Sequence, residues 1–216
     1  MKIMKKFLVV LAAILILSGC SSIQSKDYDT LISEVASSRY DIVNTYRTGY
    51  KYYAPGNMDI SNILDYNETL EDSSHKYYFY VDVVSYYNRV IENYEVNPEA
   101  YYSKVINYQD KYGYIEINKW KNGKYLLEIM YNYAKIEVIV EEGFLKEAVS
   151  NAMVILASVK YNNSVLENIV GENVLTSKEI EFNIFETKKS ESNFLKVSEE
   201  DIYEDNDTVK DPDLVK

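Results

Sequence analysis

Residues 112–133 constrain the fold more than any other stretch, because two β-rich runs flank Lys121-Asn122-Gly123-Lys124 and are expected to fold back on one another. A two-residue Asn-Gly loop would pair Lys121 with Lys124. It would set Ile117 opposite Glu128 and Glu116 opposite Ile129, mixing apolar and charged faces. A three-residue loop with Gly123 in the left-handed region pairs Trp120 with Lys124 instead. Ile117 then meets Leu127 and Ile115 meets Ile129, at the modest cost of setting Glu116 against Glu128. The second register is the expected one. Past it the apolar positions change parity, from Leu127, Ile129, Tyr131 and Tyr133 to Ile136, Val138 and Val140. A bulge or tight turn near Ala134 is needed to restore the face.

Asp27 stands where a helix N-cap belongs, with Asp29 in the first turn. Tyr28, Leu31, Ile32, Val35, Ile42, Val43 and Tyr46 then follow at helical spacing, which predicts a helix over 28–48 stopped by Gly49. Residues 50–54 read as a short strand ended by Pro55-Gly56. Residues 57–74 are polar, with one strand expected around 63–69. From Lys76, an apolar set (Tyr77, Phe79, Val81, Val83) alternates with Tyr78, Tyr80, Asp82 and Val84, as in a strand with one buried side. Residues 88–100 read as a connection with a helical turn, and 101–108 as a weaker strand. Gly143 opens a second helix, whose stripe is Leu145, Ala148, Val149, Ala152, Ile155, Leu156 and Val159. A shorter segment at 165–170 and a last strand with Ile180, Phe182 and Ile184 follow. From Ser198 the chain holds eight acids and two lysines with few apolar residues, which predicts a disordered tail. The expected class is α+β: an antiparallel sheet with the N-terminal helix and the late helix packed on it.

Leu17-Ser18-Gly19-Cys20 closes an apolar run that begins at Phe7, behind a basic segment with Lys2, Lys5 and Lys6. The pattern resembles the bacterial lipoprotein signal peptide with its lipobox. That resemblance implies signal-peptidase recognition at Leu17, Ser18 and Gly19, cleavage before Cys20, diacylglycerol on the Cys20 sulfur, and a further acyl chain such as palmitate on the new amino group. A run of eleven apolar residues is short of the roughly twenty that cross a bilayer. Two or three acyl chains anchor firmly where one is marginal. The expected organisation is a signal peptide at 1–19, a tether at 20–26, a single α+β domain at 27–195 and an acidic disordered tail at 196–216. The expected location is the cell membrane, lipid-anchored through Cys20 on the extracytoplasmic side.

Loss of residues 1–19, with three lysines and no acid, would take the net charge from −11 to −14. Such a surface repels phosphate backbones, so nucleic acid is not an expected partner. Cys20 is the only cysteine, and once acylated it leaves no thiol for a disulfide, an iron–sulfur cluster or a nucleophile. His75 is the only histidine, and a lone histidine without a thiolate builds neither a common zinc set nor a Cys/His pair. It reads as a solvated loop residue. Asp59, Asp65, Asn67, Glu68, Glu71 and Asp72 are oxygen ligands of the kind calcium takes, but the glycine and glutamate of a calcium loop are missing from their places. That stretch reads as a solvated acidic loop. No metal and no cofactor are expected, and Asn67, Asn162 and Asn206 would accept glycans only in a eukaryotic secretory route.

Tyrosine is abundant, with 23 residues against six Phe and one Trp. Residues 50–56, Tyr-Lys-Tyr-Tyr-Ala-Pro-Gly, and residues 155–161 at the end of the late helix resemble the opening and the late helix of PsbP-like and DcrB-like domains. That resemblance implies a non-enzymatic accessory or binding domain. The expected function is therefore binding of a protein or cell-wall ligand outside the membrane, without catalysis. One alternative is a sugar- or peptide-binding module using Tyr78, Tyr80, Tyr86, Tyr87, Tyr101 and Tyr102. Another is a hydrolase using paired carboxylates, whose separation is spatial and so not legible in one sequence.

Overall fold

Asp27 starts the first helix as its place in the sequence predicts. In the computed structural model, which describes residues 23–91 and 93–172, its carboxylate accepts the Thr30 N–H at 2.7 Å and opens α1 (Tyr28–Ser37). The described residues fall within one compact unit. The signal peptide, Cys20, the last expected strand at 180–184 and the acidic tail lie outside them.

The first helix is much shorter than its apolar spacing predicts. Ser38 is extended and ends it, and the Ser37 and Ser38 hydroxyls both donate to the Glu34 carbonyl, a local bond that competes with helix propagation. Ile42 and Tyr46, expected on the buried stripe, are 74% and 65% exposed. Tyr46 lies in β1 (Thr45–Arg47), which pairs with β2 (Tyr50–Tyr52). Gly49 has φ 90° and serves that turn rather than a helix end.

The polar stretch after Pro55-Gly56 forms two strands, β3 (Asp59–Leu64) and β4 (Asn67–Glu71), where one was expected. Asp65, at φ 52°, turns the chain between them, and a bulge interrupts β3 between Ile60 and Asn62. β5 (Lys76–Val81) buries Tyr77, Phe79 and Val81. It stops earlier than the alternation suggests, because the Asp82 carboxylate caps a short helix, α2 (Val83–Asn88).

β6 (Tyr102–Tyr108), β7 (Lys111–Lys119), β8 (Lys124–Tyr131) and β9 (Ala134–Glu141) then run as successive antiparallel neighbours. The β7–β8 register is the expected one: Ile117 faces Leu127, Ile115 faces Ile129, and the Trp120 N–H donates to the Lys124 carbonyl at 2.8 Å. Gly123 has φ 72°. The parity change after Tyr131 is made by a two-residue turn, Asn132-Tyr133, both at positive φ, which sets Tyr131 opposite Ala134.

α3 (Leu145–Ser158) buries the whole predicted stripe from Leu145 to Leu156, and Val159 beyond it. Lys111 donates to the Ala157 carbonyl at 2.8 Å, placing a cation at the negative end of the helix. β10 (Lys160–Tyr161) and α4 (Asn163–Glu172) complete the described chain.

The strand order is β3-β4-β5-β9-β8-β7-β6 in a seven-stranded sheet and β1-β2-β10 in a three-stranded one. One face of the large sheet carries Leu70, Tyr77, Phe79, Val138, Ile136, Leu127, Ile129, Ile115 and Ile117, all nearly inaccessible. α3 lies on that face against β8 and β9, and α1 packs beside it. The small sheet closes the same core, with the Tyr52 ring 5.0 Å from that of Phe79. Each such side chain contributes about 1.5–3 kcal/mol by leaving water.

Candidate functional site

The opposite face of the large sheet is polar, and its register gathers like charges. Glu137 on β9 faces Glu128 on β8, which faces Glu116 on β7, so three carboxylates occupy one cross-strand row. The row ends at Ser103 on β6 and runs the other way through Tyr78 on β5 and Thr69 on β4 to Asn62 on β3. The next row runs Asn67, Tyr80, Lys135, Met130, Tyr114 and Val105. Like charges directly opposite destabilise a sheet by a few tenths to about 1 kcal/mol per pair.

Donors placed around the row offset that cost. Lys135 Nζ stands 3.1 Å from Glu137. The Tyr114 hydroxyl donates to Glu128 at 2.6 Å. Glu116 accepts from the Tyr94 hydroxyl and from the Asn97 and Asn118 amides at 3.0 and 2.7 Å. Tyr94 and Asn97 come from the connection between α2 and β6, and the Tyr94 ring lies flat on that of Tyr114 with centroids 4.0 Å apart. Burial, and then the bond to Glu116, push the Tyr94 hydroxyl up to about 12, so it remains a protonated donor. Half-buried Leu126, Met130 and Ile139 lie on the same face.

The six tyrosines singled out in the sequence do not converge on one groove. Tyr78 and Tyr80 share the polar face. Tyr86 stacks on Tyr161 at 3.7 Å under the Arg89 guanidinium, with Tyr87 exposed on the same short helix. Tyr101 meets Tyr125 edge-on at 4.8 Å, and Tyr102 packs against Tyr28 while its hydroxyl donates to Asp29 at 2.7 Å.

His75 is not the solvated loop residue its surroundings in sequence suggest. It is 8% exposed, with Nε2 2.9 Å from Glu141, Nδ1 3.3 Å from Asp72 and its ring against Phe144. It ties the β4–β5 turn to the end of β9. The acidic stretch 59–72 is likewise a hairpin rather than a solvated loop, and Glu68 within it is fully buried. That carboxylate accepts from Arg47 at 2.6 Å and from the Tyr50 and Tyr52 hydroxyls at 2.7 Å each, joining the two sheets. Among the described residues no group of three or more His, Cys, Asp or Glu side chains is arranged to hold a metal ion. Period-two placement of Glu68 with Leu70 on the inward face is the one sequence signal that could have marked its burial.

No helix among the described residues is long and apolar enough to cross a membrane. Compared with models of known protein families and with curated proteins, the chain matches none.

Proposed function

We propose that the protein is a lipoprotein held to the extracytoplasmic side of the cell membrane through Cys20, and that the polar face of its large sheet binds a protein or cell-wall partner. The observation that carries this reading is the Glu116–Glu128–Glu137 row beside Tyr78, Tyr80 and Tyr114. Packing alone gives no reason to set three carboxylates opposite one another. Glu116 and Glu137 are buried and held by their own donors, so half-buried Glu128, with Tyr78 and Tyr80 on the same face, is the acceptor offered to a ligand rich in hydroxyl or ammonium groups. The likeness of residues 50–56 and 155–161 to PsbP-like and DcrB-like domains supports the same non-enzymatic role.

Titration of the native protein with cell-wall fragments, followed by tyrosine fluorescence, tests the binding face. Quenching that Glu128→Gln and Tyr78→Ala both weaken supports it, and a flat titration refutes it. Mass spectrometry of the N-terminal peptide and membrane partition of Cys20→Ser test the anchor separately. An intact Met1 terminus, or a substituted protein still bound to membranes, refutes that part. The hydrolase alternative draws on the directly opposed Glu116 and Glu128. Fragment cleavage that is lost in Glu128→Gln would favour it over binding alone.

A further inference from the structure

The outer face of the three-stranded sheet carries an opposite feature. Tyr46 faces Lys51 across β1 and β2, and Lys51 faces Lys160 across β2 and β10, so the three form one row. All three are exposed, whereas Tyr50 and Tyr52 on the same strand turn into the core. Two ammonium groups on directly opposed residues repel. Five other described lysines are ion-paired: Lys26 with Glu34, Lys76 with Glu71, Lys104 with Asp29, Lys124 with Glu141 and Lys135 with Glu137. Lys111 and Lys146 donate to backbone carbonyls, while Lys119 and Lys121 stand apart from one another without a carboxylate, so the distinguishing feature of Lys51 and Lys160 is their direct opposition across two strands. Among the described residues neither Lys51 nor Lys160 has a carboxylate within 4.0 Å. In a chain with 34 acids against 23 bases, carboxylates are not scarce. Lys111 stands near enough that the Lys160 charge adds to burial in lowering its affinity for a proton, with Asp110 opposing both.

We propose that the Tyr46–Lys51–Lys160 row binds a phosphate-bearing anionic polymer outside the cell, at a surface distinct from the carboxylate face. Lysine ammonium groups act as point charges for phosphate oxygens. A pair of them on neighbouring strands spans successive phosphates, and Tyr46 adds a hydroxyl donor beside them.

A polymer fits better than a lipid headgroup because of where the row sits, an argument that rests on the anchored reading above. The described chain enters at Ile23, where the Gln24 amide donates to the Gly143 carbonyl at 3.0 Å and Lys146 donates to the Gln24 carbonyl at 2.7 Å. Gly143 lies in the short turn Glu142–Phe144 that leads into α3, and Lys146 lies in the first turn of α3. Lys160 follows the last residue of α3, and a helix of 14 residues is about 21 Å long. The row therefore stands at the far end of α3 from the tether.

Lysine acetylation footprinting of the native protein in nanodiscs tests this, with inorganic polyphosphate as the probe and Lys119 and Lys121 as internal references. In zwitterionic nanodiscs, polyphosphate is expected to slow modification of Lys51 and Lys160 at least fivefold relative to the references. Anionic phosphatidylglycerol nanodiscs without polyphosphate are expected to leave them unprotected. Lys51→Gln/Lys160→Gln, altered only at exposed positions, should bind labelled polyphosphate at least about fivefold more weakly and with a shallower salt dependence. Protection by anionic lipid alone, uniform protection of all four lysines, or equal affinity of the double variant each overturns the proposal. A failed cell-wall titration with intact polyphosphate protection would overturn the carboxylate-face reading and leave this one standing.

Discussion

Glu68 offers the sharpest test of how the two sheets are joined. Its side chain is wholly inaccessible and takes three hydrogen bonds, from Arg47 and from the Tyr50 and Tyr52 hydroxyls. Burial, and then the Glu68 charge, hold both phenols well above their ordinary range, so they act only as donors. Arg47→Met would leave the carboxylate buried with two neutral donors. Glu68→Leu would strand the phenols and the guanidinium. Removing one partner of a buried pair costs about 3–5 kcal/mol, and for a domain of this size that lowers the midpoint of thermal unfolding by about 6–20 °C. Replacing both partners by apolar side chains avoids the lone charge, so Arg47→Met/Glu68→Leu is expected to lose no more than the worse single variant. Urea unfolding followed by circular dichroism measures all four species. Losses that simply add in the double variant, or either single variant within 1 kcal/mol of the parent, would refute the reasoning.

A Cβ on Gly113 would stand 1.9 Å from the Met130 carbonyl oxygen, a backbone atom that cannot swing aside. Gly113→Ala is expected to cost about 1–3 kcal/mol and to speed amide exchange at Tyr131 and Asn132, while Gly143→Ala, with open space around it, leaves both unchanged. Acid should weaken the tie made by His75. The bond from Lys124, then that from His75, pull Glu141 down to about 2. Burial alone would raise Asp72, but the Ser74 and His75 N–H groups and the Tyr77 hydroxyl hold it below its usual value. Both carboxylates are depressed in the fold, so their stabilisation is complete above about pH 4.5 and fades as the pH falls toward 2. Thermal midpoints measured from pH 7 to pH 2.5 should fall less steeply in Glu141→Gln than in the parent.

Local signals in the chain were legible and distant ones were not. The β7–β8 hairpin could be read to the residue, because apolar alternation and Gly123 together admit a single register that keeps the faces pure. The α3 stripe could be read for the same reason. Residues 38–47 misled because Ile42, Val43 and Tyr46 satisfy helical spacing as well as extended spacing. What decides between them is pairing with β2, which periodicity does not contain. Burial of His75 and of Glu68 depends on Glu141 and Arg47, 66 and 21 residues away. The carboxylate row was half visible. Glu116 against Glu128 follows from the hairpin register, but Glu137 joins them only through the Asn132-Tyr133 turn, whose two left-handed residues carry no glycine to announce them.

The bulge between Ile60 and Asn62 lies on the outermost strand of the large sheet, near exposed Ile63 and Leu64. A straight edge with those side chains would template the same edge of a neighbouring molecule. On the anchored reading proposed above, copies confined to one leaflet would meet at high local density and in similar orientations, which favours such lateral joining. The extra residue breaks the donor and acceptor spacing that a second chain would have to match, so crowded copies can slide past one another without zipping into fibrils.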